Sequence, residues 1–81
     1  MNYENAFKVL VMSAESVNRA YKLCNGDQND GFLVHVKAKL YAIQNFANAL
    51  GLDVRITYHI EKSRNVLIHS VSMRGYLKVF Y

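Results

Sequence analysis

At Asp53 the hydrophobic rhythm of this 81-residue chain changes, and that change limits its fold more than any other feature. Before it, apolar residues recur every three or four positions. After it, they recur every second position. The first period belongs to amphipathic helices and the second to half-buried strands. A chain that switches once, from helix to strand, is expected to fold as α+β with its helices on one side of an antiparallel sheet.

The helical half divides in two. Tyr3, Phe7, Leu10, Ala14, Val17, Tyr21 and Cys24 stand at alternating steps of four and three, a single apolar stripe. Glu4, Lys8, Glu15, Arg19 and Lys22 fall on the other side. Glu4–Lys8 and Glu15–Arg19 are acid-before-base pairs at the favourable i,i+4 spacing. Asn25-Gly26 supplies a stop, because glycine enters the left-handed region without strain. The first helix is therefore predicted over 3–24. Asp30 is placed to cap a second over 31–50, centred on Leu33, Val36, Leu40, Ile43, Ala47 and Leu50. Phe32, Ala42, Phe46 and Ala49 widen its apolar arc to about half the circumference at ~100° per residue. A helix this apolar is expected to touch two neighbours, lying between the first helix and the sheet. The run Phe32 to Lys37 also fits a short strand, since periodicity alone does not separate the two.

Three strands follow, predicted at 53–61, 65–73 and 76–81. Val54, Ile56, Tyr58 and Ile60 alternate with Arg55, Thr57, His59 and Glu61. A two-residue turn at Ser63-Arg64 pairs Ile60 with Leu67, Ile56 with Val71 and Val54 with Met73. Arg74-Gly75 is the second turn. The expected fold is a single domain of order α-α-β-β-β, two antiparallel amphipathic helices on a three-stranded antiparallel meander.

Composition narrows the function. Apolar residues make up 52% and charged residues 20%, which excludes a disordered chain. A chain of this mass exposes roughly 13,500 Å² unfolded and about 5,000 Å² folded. So small a domain has difficulty hiding that much apolar surface, and a homodimer is expected. The net charge of +4 is uneven. Residues 51–81 carry Arg55, Lys62, Arg64, Arg74 and Lys78 against Asp53 and Glu61, whereas the first fifty are nearly balanced. That balance suits an acidic or nucleic-acid partner, or simply a solvated basic surface. One cysteine, Cys24, excludes an internal disulfide framework and fits a reducing compartment. With no apolar run long enough to span a bilayer and no signal-peptide pattern, the expected location is cytoplasmic, away from membranes.

No catalytic grouping stands out. Cys24, His35, His59 and His69 match no compact metal-ligand spacing, so neither a metal nor another cofactor is expected. In the register above His59 and His69 point to opposite faces, with His69 on the core face beside Tyr58. The glycines at 26, 31, 51 and 75 are isolated and form no phosphate loop.

Two surfaces carry the candidate binding residues. The outer sheet face holds Arg55, Thr57 and His59, with Arg74 in the adjoining turn. If the third strand turns Tyr76, Lys78 and Phe80 the same way, cations and aromatics mix there. That mixture suits stacked bases and phosphates, or aromatic and arginine anchors against a protein. On the back of the first helix, Val9, Met12, Ser16, Ala20 and Leu23 form a second stripe with small residues at its middle. It is the candidate homodimer interface, or a docking site for another protein. Leu77 to Tyr81 is a further candidate edge for strand addition.

Residues 54–81 resemble the closing strands of the RelE/ParE toxin superfamily. Arg55, Tyr58, Ile60, Val66 to Val71, Arg74 and Tyr81 stand where that family has an R-h-x-Y-x-I strand, a short turn, an apolar strand and an arginine-containing turn. The resemblance implies an RNA-cleaving or gyrase-targeting toxin, with Arg55, Arg74 and Tyr81 in contact with substrate. It covers about a third of the chain. This sequence departs from the family in opening with a helix and in lacking the extended segment before the sheet.

The leading expectation is a small non-enzymatic protein-binding module. In kind it resembles accessory proteins of phages and mobile elements that inhibit a larger host complex by occluding its surface. Nucleic-acid binding through the sheet face is the first alternative and a toxin-like ribonuclease the second.

Overall fold

The computed structural model describes residues 2–59 and 66–81. Helices α1 (Tyr3–Leu23) and α2 (Gly31–Ala49) precede strands β1 (Val54–Tyr58), β2 (Ile68–Met73) and β3 (Tyr76–Val79). The strands form one antiparallel sheet in the order β1-β2-β3. The expected α-α-β-β-β order is what the chain adopts. The proposed turn at Ser63-Arg64 and the Ile60–Leu67 pair involve residues outside those described.

Each helix begins on a side-chain cap. Asn2 accepts from the Asn5 amide at 3.1 Å and Asp30 from the Leu33 amide at 3.0 Å. Each ends in a left-handed turn. At the end of α1 the Gly26 amide donates to the Tyr21 carbonyl while Asn25 adopts φ 55°. At the end of α2 Gly51 adopts φ 80°, and the next residue, Leu52, donates to the Ala47 carbonyl and turns into the core. Asp53 also takes a positive φ, 52°, which delays β1 by one residue from its expected start.

The core lies between the helical layer and one face of the sheet. Leu10, Ala14, Val17, Ala20 and Tyr21 of α1 and Leu33, Val36, Leu40 and Ala47 of α2 are buried with Val54, Ile68, Val71 and Met73. Both helices rest on the sheet, α1 over β2 and α2 over β1. The expectation that α2 sits between α1 and the sheet is therefore corrected. α1 makes its own contact with β2, so α2 keeps an uncovered side that carries Phe32 and Phe46.

The register holds as expected at Val54↔Met73 and Ile56↔Val71, then shifts at Thr57/Tyr58 so that Tyr58 lies opposite Ile68. His69 becomes the extra residue of a bulge. Ile68 is thereby buried completely and His69 exposed, the reverse of the expected arrangement. Burying an isoleucine is worth roughly 2 kcal/mol or more, and it outweighs regular alternation. Asn18 on α1 fixes the bulge. Its Oδ1 accepts from the Leu67 and Ile68 amides at 3.0 and 2.7 Å, and its Nδ2 donates to the Ile68 carbonyl at 3.2 Å. Asn48 ties α2 to β1 in the same way, accepting from the Val54 amide at 2.6 Å and donating to its carbonyl at 3.3 Å.

Asn18→Ala strands two backbone donors and one acceptor in a half-buried position, at a cost of about 2–4 kcal/mol. Asn18→Asp keeps both accepted bonds and costs less. Urea denaturation of the two variants checks the order. A parent-like stability for Asn18→Ala would show that water serves these groups equally well.

Candidate functional site: the outer face of the helical layer

The sheet presents its free face away from the helices. Arg55, Thr57, Ser70 and Ser72 lie there, joined by His59 and, through the bulge, by His69. The Thr57 and Ser70 hydroxyls are 2.6 Å apart, and the His59 and His69 rings meet edge to face at 4.9 Å. The bulge thus corrects the expectation that these histidines point to opposite faces. His59 Nε2 is enclosed and has no hydrogen-bond partner among the described residues. Among those residues no group of three or more histidine, cysteine, aspartate or glutamate side chains is placed to hold a metal ion. Arg55 turns back to Asp53, its Nε 3.4 Å from Oδ1.

The aromatic half of the expected sheet site is elsewhere. β3 pairs Tyr76 with Met73 and Lys78 with Val71. Residues opposite one another share a face, and Met73 and Val71 face the core. Tyr76, Lys78 and Phe80 are therefore turned toward the helices. Tyr76 stacks on Phe7 at 5.2 Å and Phe80 packs against the core. Arg74 lies over the Tyr3 ring at 5.0 Å from its centroid. The expected mixture of cations and aromatics on one face is corrected: Arg55 and His59 are on the open face, while Tyr76, Lys78 and Phe80 are on the other, and Leu77 takes the outer position instead. Nor are Arg55, Arg74 and Tyr81 gathered, since they occupy the open face, the β2–β3 turn and the exposed tail beyond β3.

The helical layer shows a different surface. Along its outer side run two grooves between α1 and α2. The first, about 480 Å³, lies between the start of α1 and the end of α2. Ala6, Val9 and Leu10 form one wall, Ile43, Phe46 and Leu50 the other, and Val54 and Met73 lie at its floor; every lining residue is apolar. The second, about 460 Å³, lies between the remaining halves of the helices. Its ends are apolar, at Met12, Leu23 and Phe32, and its middle is polar and basic, at Ser16, Arg19, His35 and Lys39.

Around these grooves large apolar side chains stand in solvent: Val9 54%, Met12 66%, Leu23 78%, Phe32 63%, Phe46 70% and Leu50 49% exposed. Four of the five residues assigned to the back stripe of α1, namely Val9, Met12, Ser16 and Leu23, reach this face. The fifth, Ala20, is corrected to the core, 3% exposed, where it helps line the second groove. The expected Glu15–Arg19 ion pair gives way to a bond from Arg19 Nη2 to Ser16 Oγ at 3.3 Å, whereas Glu4–Lys8 forms at 3.8 Å on the surface. Phe46, Leu50 and Phe32 were absent from the sequence-derived site. Their signal was the over-wide apolar arc of α2: the helix meets two neighbours, α1 and β1, and still leaves apolar residues in solvent.

Comparison with known protein families, with curated proteins and with solved structures finds no match to this chain. No described helix is long and apolar enough to cross a membrane.

One titration follows from the geometry. Tyr58 donates to the Tyr41 hydroxyl at 2.7 Å. Burial, then the bond and charge of Tyr41, push the Tyr58 phenol well above its ordinary value of 10.0. A pKa raised on folding gives stability that is complete below the unfolded value and lost as pH rises beyond it. The stability of the parent against denaturant is expected to fall above pH ~10, the tyrosine range, more steeply than that of Tyr58→Phe. Equal alkaline slopes would show that the phenol is not held by folding.

Proposed function

We propose that this chain is a non-enzymatic protein-binding module whose contact surface is the outer face of its helical layer. The observation that carries this is the set of six large apolar side chains around two adjoining grooves, each half or more exposed except Leu50, which is close to it. Single exposed apolar residues are ordinary, but a contiguous apolar face with a basic centre is the form of a docking site.

The magnitudes support it. Covering the six exposed side chains is worth roughly 8 kcal/mol in total, from ~1.5–3 kcal/mol per fully buried large side chain. Association costs about 4–15 kcal/mol. The balance favours binding only where the surface is already ordered, and side chains on two packed helices meet that condition. Function by occlusion then requires no chemistry: the chain covers part of a larger partner's surface and excludes what would otherwise bind there.

Phe46→Glu tests this with little risk to the fold, because that side chain lies mainly in solvent. Tagged parent chain is expected to retain a protein partner in pull-downs from its native cells, with Phe46→Glu losing it and Arg55→Ala retaining it. Retention by Phe46→Glu together with loss by Arg55→Ala would move the contact to the sheet and overturn the proposal. Release of bound material by nuclease would do the same.

A further inference from the structure

Resting on the assignment of the helical face as a docking surface, we infer that the partner segment it receives is an amphipathic α-helix with carboxylates near its middle, laid along the seam between α1 and α2. The backbone chemistry of the seam, its charge and its spacing each select that occupant.

Both walls of the seam are helices, whose interior N–H and C=O groups are spent within their own turns. The floor offers no backbone partner either. The amide and carbonyl of Val54 are held by the Asn48 side chain at 2.6 and 3.3 Å. Met73 lies in the middle strand, paired with Val54 on one side and Tyr76 on the other. An extended segment pressed into these grooves would bury its donors and acceptors unpaired, which is costly. A helix satisfies its own and brings only side chains to the contact. A helix laid in an apolar groove is a recurrent mode of recognition.

Charge narrows the choice. Arg19 of α1 and Lys39 of α2 stand in the middle of the seam, both exposed, with His35 beside them. Among the described residues no carboxylate lines either groove, and neither cation has an ion-pair partner. Glu15 lies toward the other flank of α1, where it shares a cleft with Phe80 and Tyr81. Covering the two cations with a purely apolar segment would strip their water and return nothing. A carboxylate set between them returns what the water gave and excludes basic competitors.

Spacing gives the pattern. At ~1.5 Å per residue, Ala6, Val9 and Leu10 lie about 14 Å along α1 from Ser16 and Arg19, and these about 8 Å from Leu23. On α2, Ile43, Phe46 and Leu50 lie about 14 Å from Lys39 and His35, and these about 8 Å from Phe32. The order apolar, basic, apolar is therefore in step on the two walls. Same-face positions of a docked helix recur after seven and eleven residues, at ~10.5 and ~16.5 Å, and bracket the longer distance. The partner helix is expected to carry large apolar residues at one end, acidic residues about seven to eleven positions on, and a further apolar residue about a turn and a half beyond.

Three fluorescein-labelled synthetic peptides test this. The first is an amphipathic helix of about five turns, with leucine along one face and glutamate at its centre. The second has lysine in place of that glutamate. The third repeats the first with two interior prolines, which abolish the helix. By fluorescence anisotropy the glutamate peptide is expected to bind the parent at least about tenfold more tightly than either of the others, the worth of one charge-assisted contact. Phe46→Glu is expected to weaken its binding about tenfold or more. Arg19→Glu with Lys39→Glu is expected to turn the preference toward the lysine peptide. Equal binding of the glutamate and lysine peptides, equal binding of the proline peptide, or no saturable binding of the glutamate peptide overturns the inference. If it is overturned while Phe46→Glu still loses the native partner in pull-downs, the acidic helix alone falls and the docking face stands. If Phe46→Glu retains that partner, both fall.

Discussion

The fold depends on one dry contact, the face of α1 against the middle of the sheet. Leu10, Ala14 and Val17 on the helix and Ile68, Val71 and Met73 on β2 are all essentially inaccessible to solvent. With alanine at its centre, the helix can lie close over the strand. β2 is the middle strand, so fixing it fixes β1 and β3 through their ladders. α2 then needs only its narrow line of Leu33, Val36, Leu40 and Ala47 to close the core beside α1. The rest of its apolar arc is left over, and that surplus is the surface on which the functional proposal is built.

The elements were legible because each obeyed its own period. Stripes at steps of three and four fixed both helices, and the caps at Asn25-Gly26, Asp30 and Gly51 set their limits. The alternation at Val54 and Ile56 fixed the register on Val71 and Met73. The bulge was hidden because it is set by a tertiary partner. Nothing around Ile68 reveals that Asn18 will claim its backbone, and without the bulge alternation sends His69 inward. The side of β3 is hidden in the sequence for a simpler reason. Tyr76, Leu77, Lys78 and Val79 alternate in size rather than in polarity, so the sequence alone does not say which set meets the helices. Opposition to Met73 and Val71 decides it.

The candidate surfaces fared unevenly for the same physical reason. The sheet site required cations and aromatics on one side, and pairing with β2 separates them. The helix stripe required only that helical angles be kept, and four of its five members reach solvent. Ala20 does not, because it lies 40° further toward α2 and so falls into the groove. Its burial adds to the surface, since a shallow floor with tall walls receives a side chain better than a flat stripe does. The remaining members of the face, on α2, follow from how two helices share one sheet, which no single-helix pattern contains.

The Asn18 clamp joins residues fifty positions apart in the chain. Closing a loop of that length costs roughly 3–4 kcal/mol of chain entropy before any contact compensates it. The two helices, by contrast, are separated by a short turn and share a local interface. The sheet's ladders are local too, joining residues 3 to 19 positions apart, so the clamp is a long-range contact laid over pairings that are short in sequence. The sheet's register is therefore conditional on the seating of the first helix, and a change that unseats that helix also releases the choice of which β2 residue bulges.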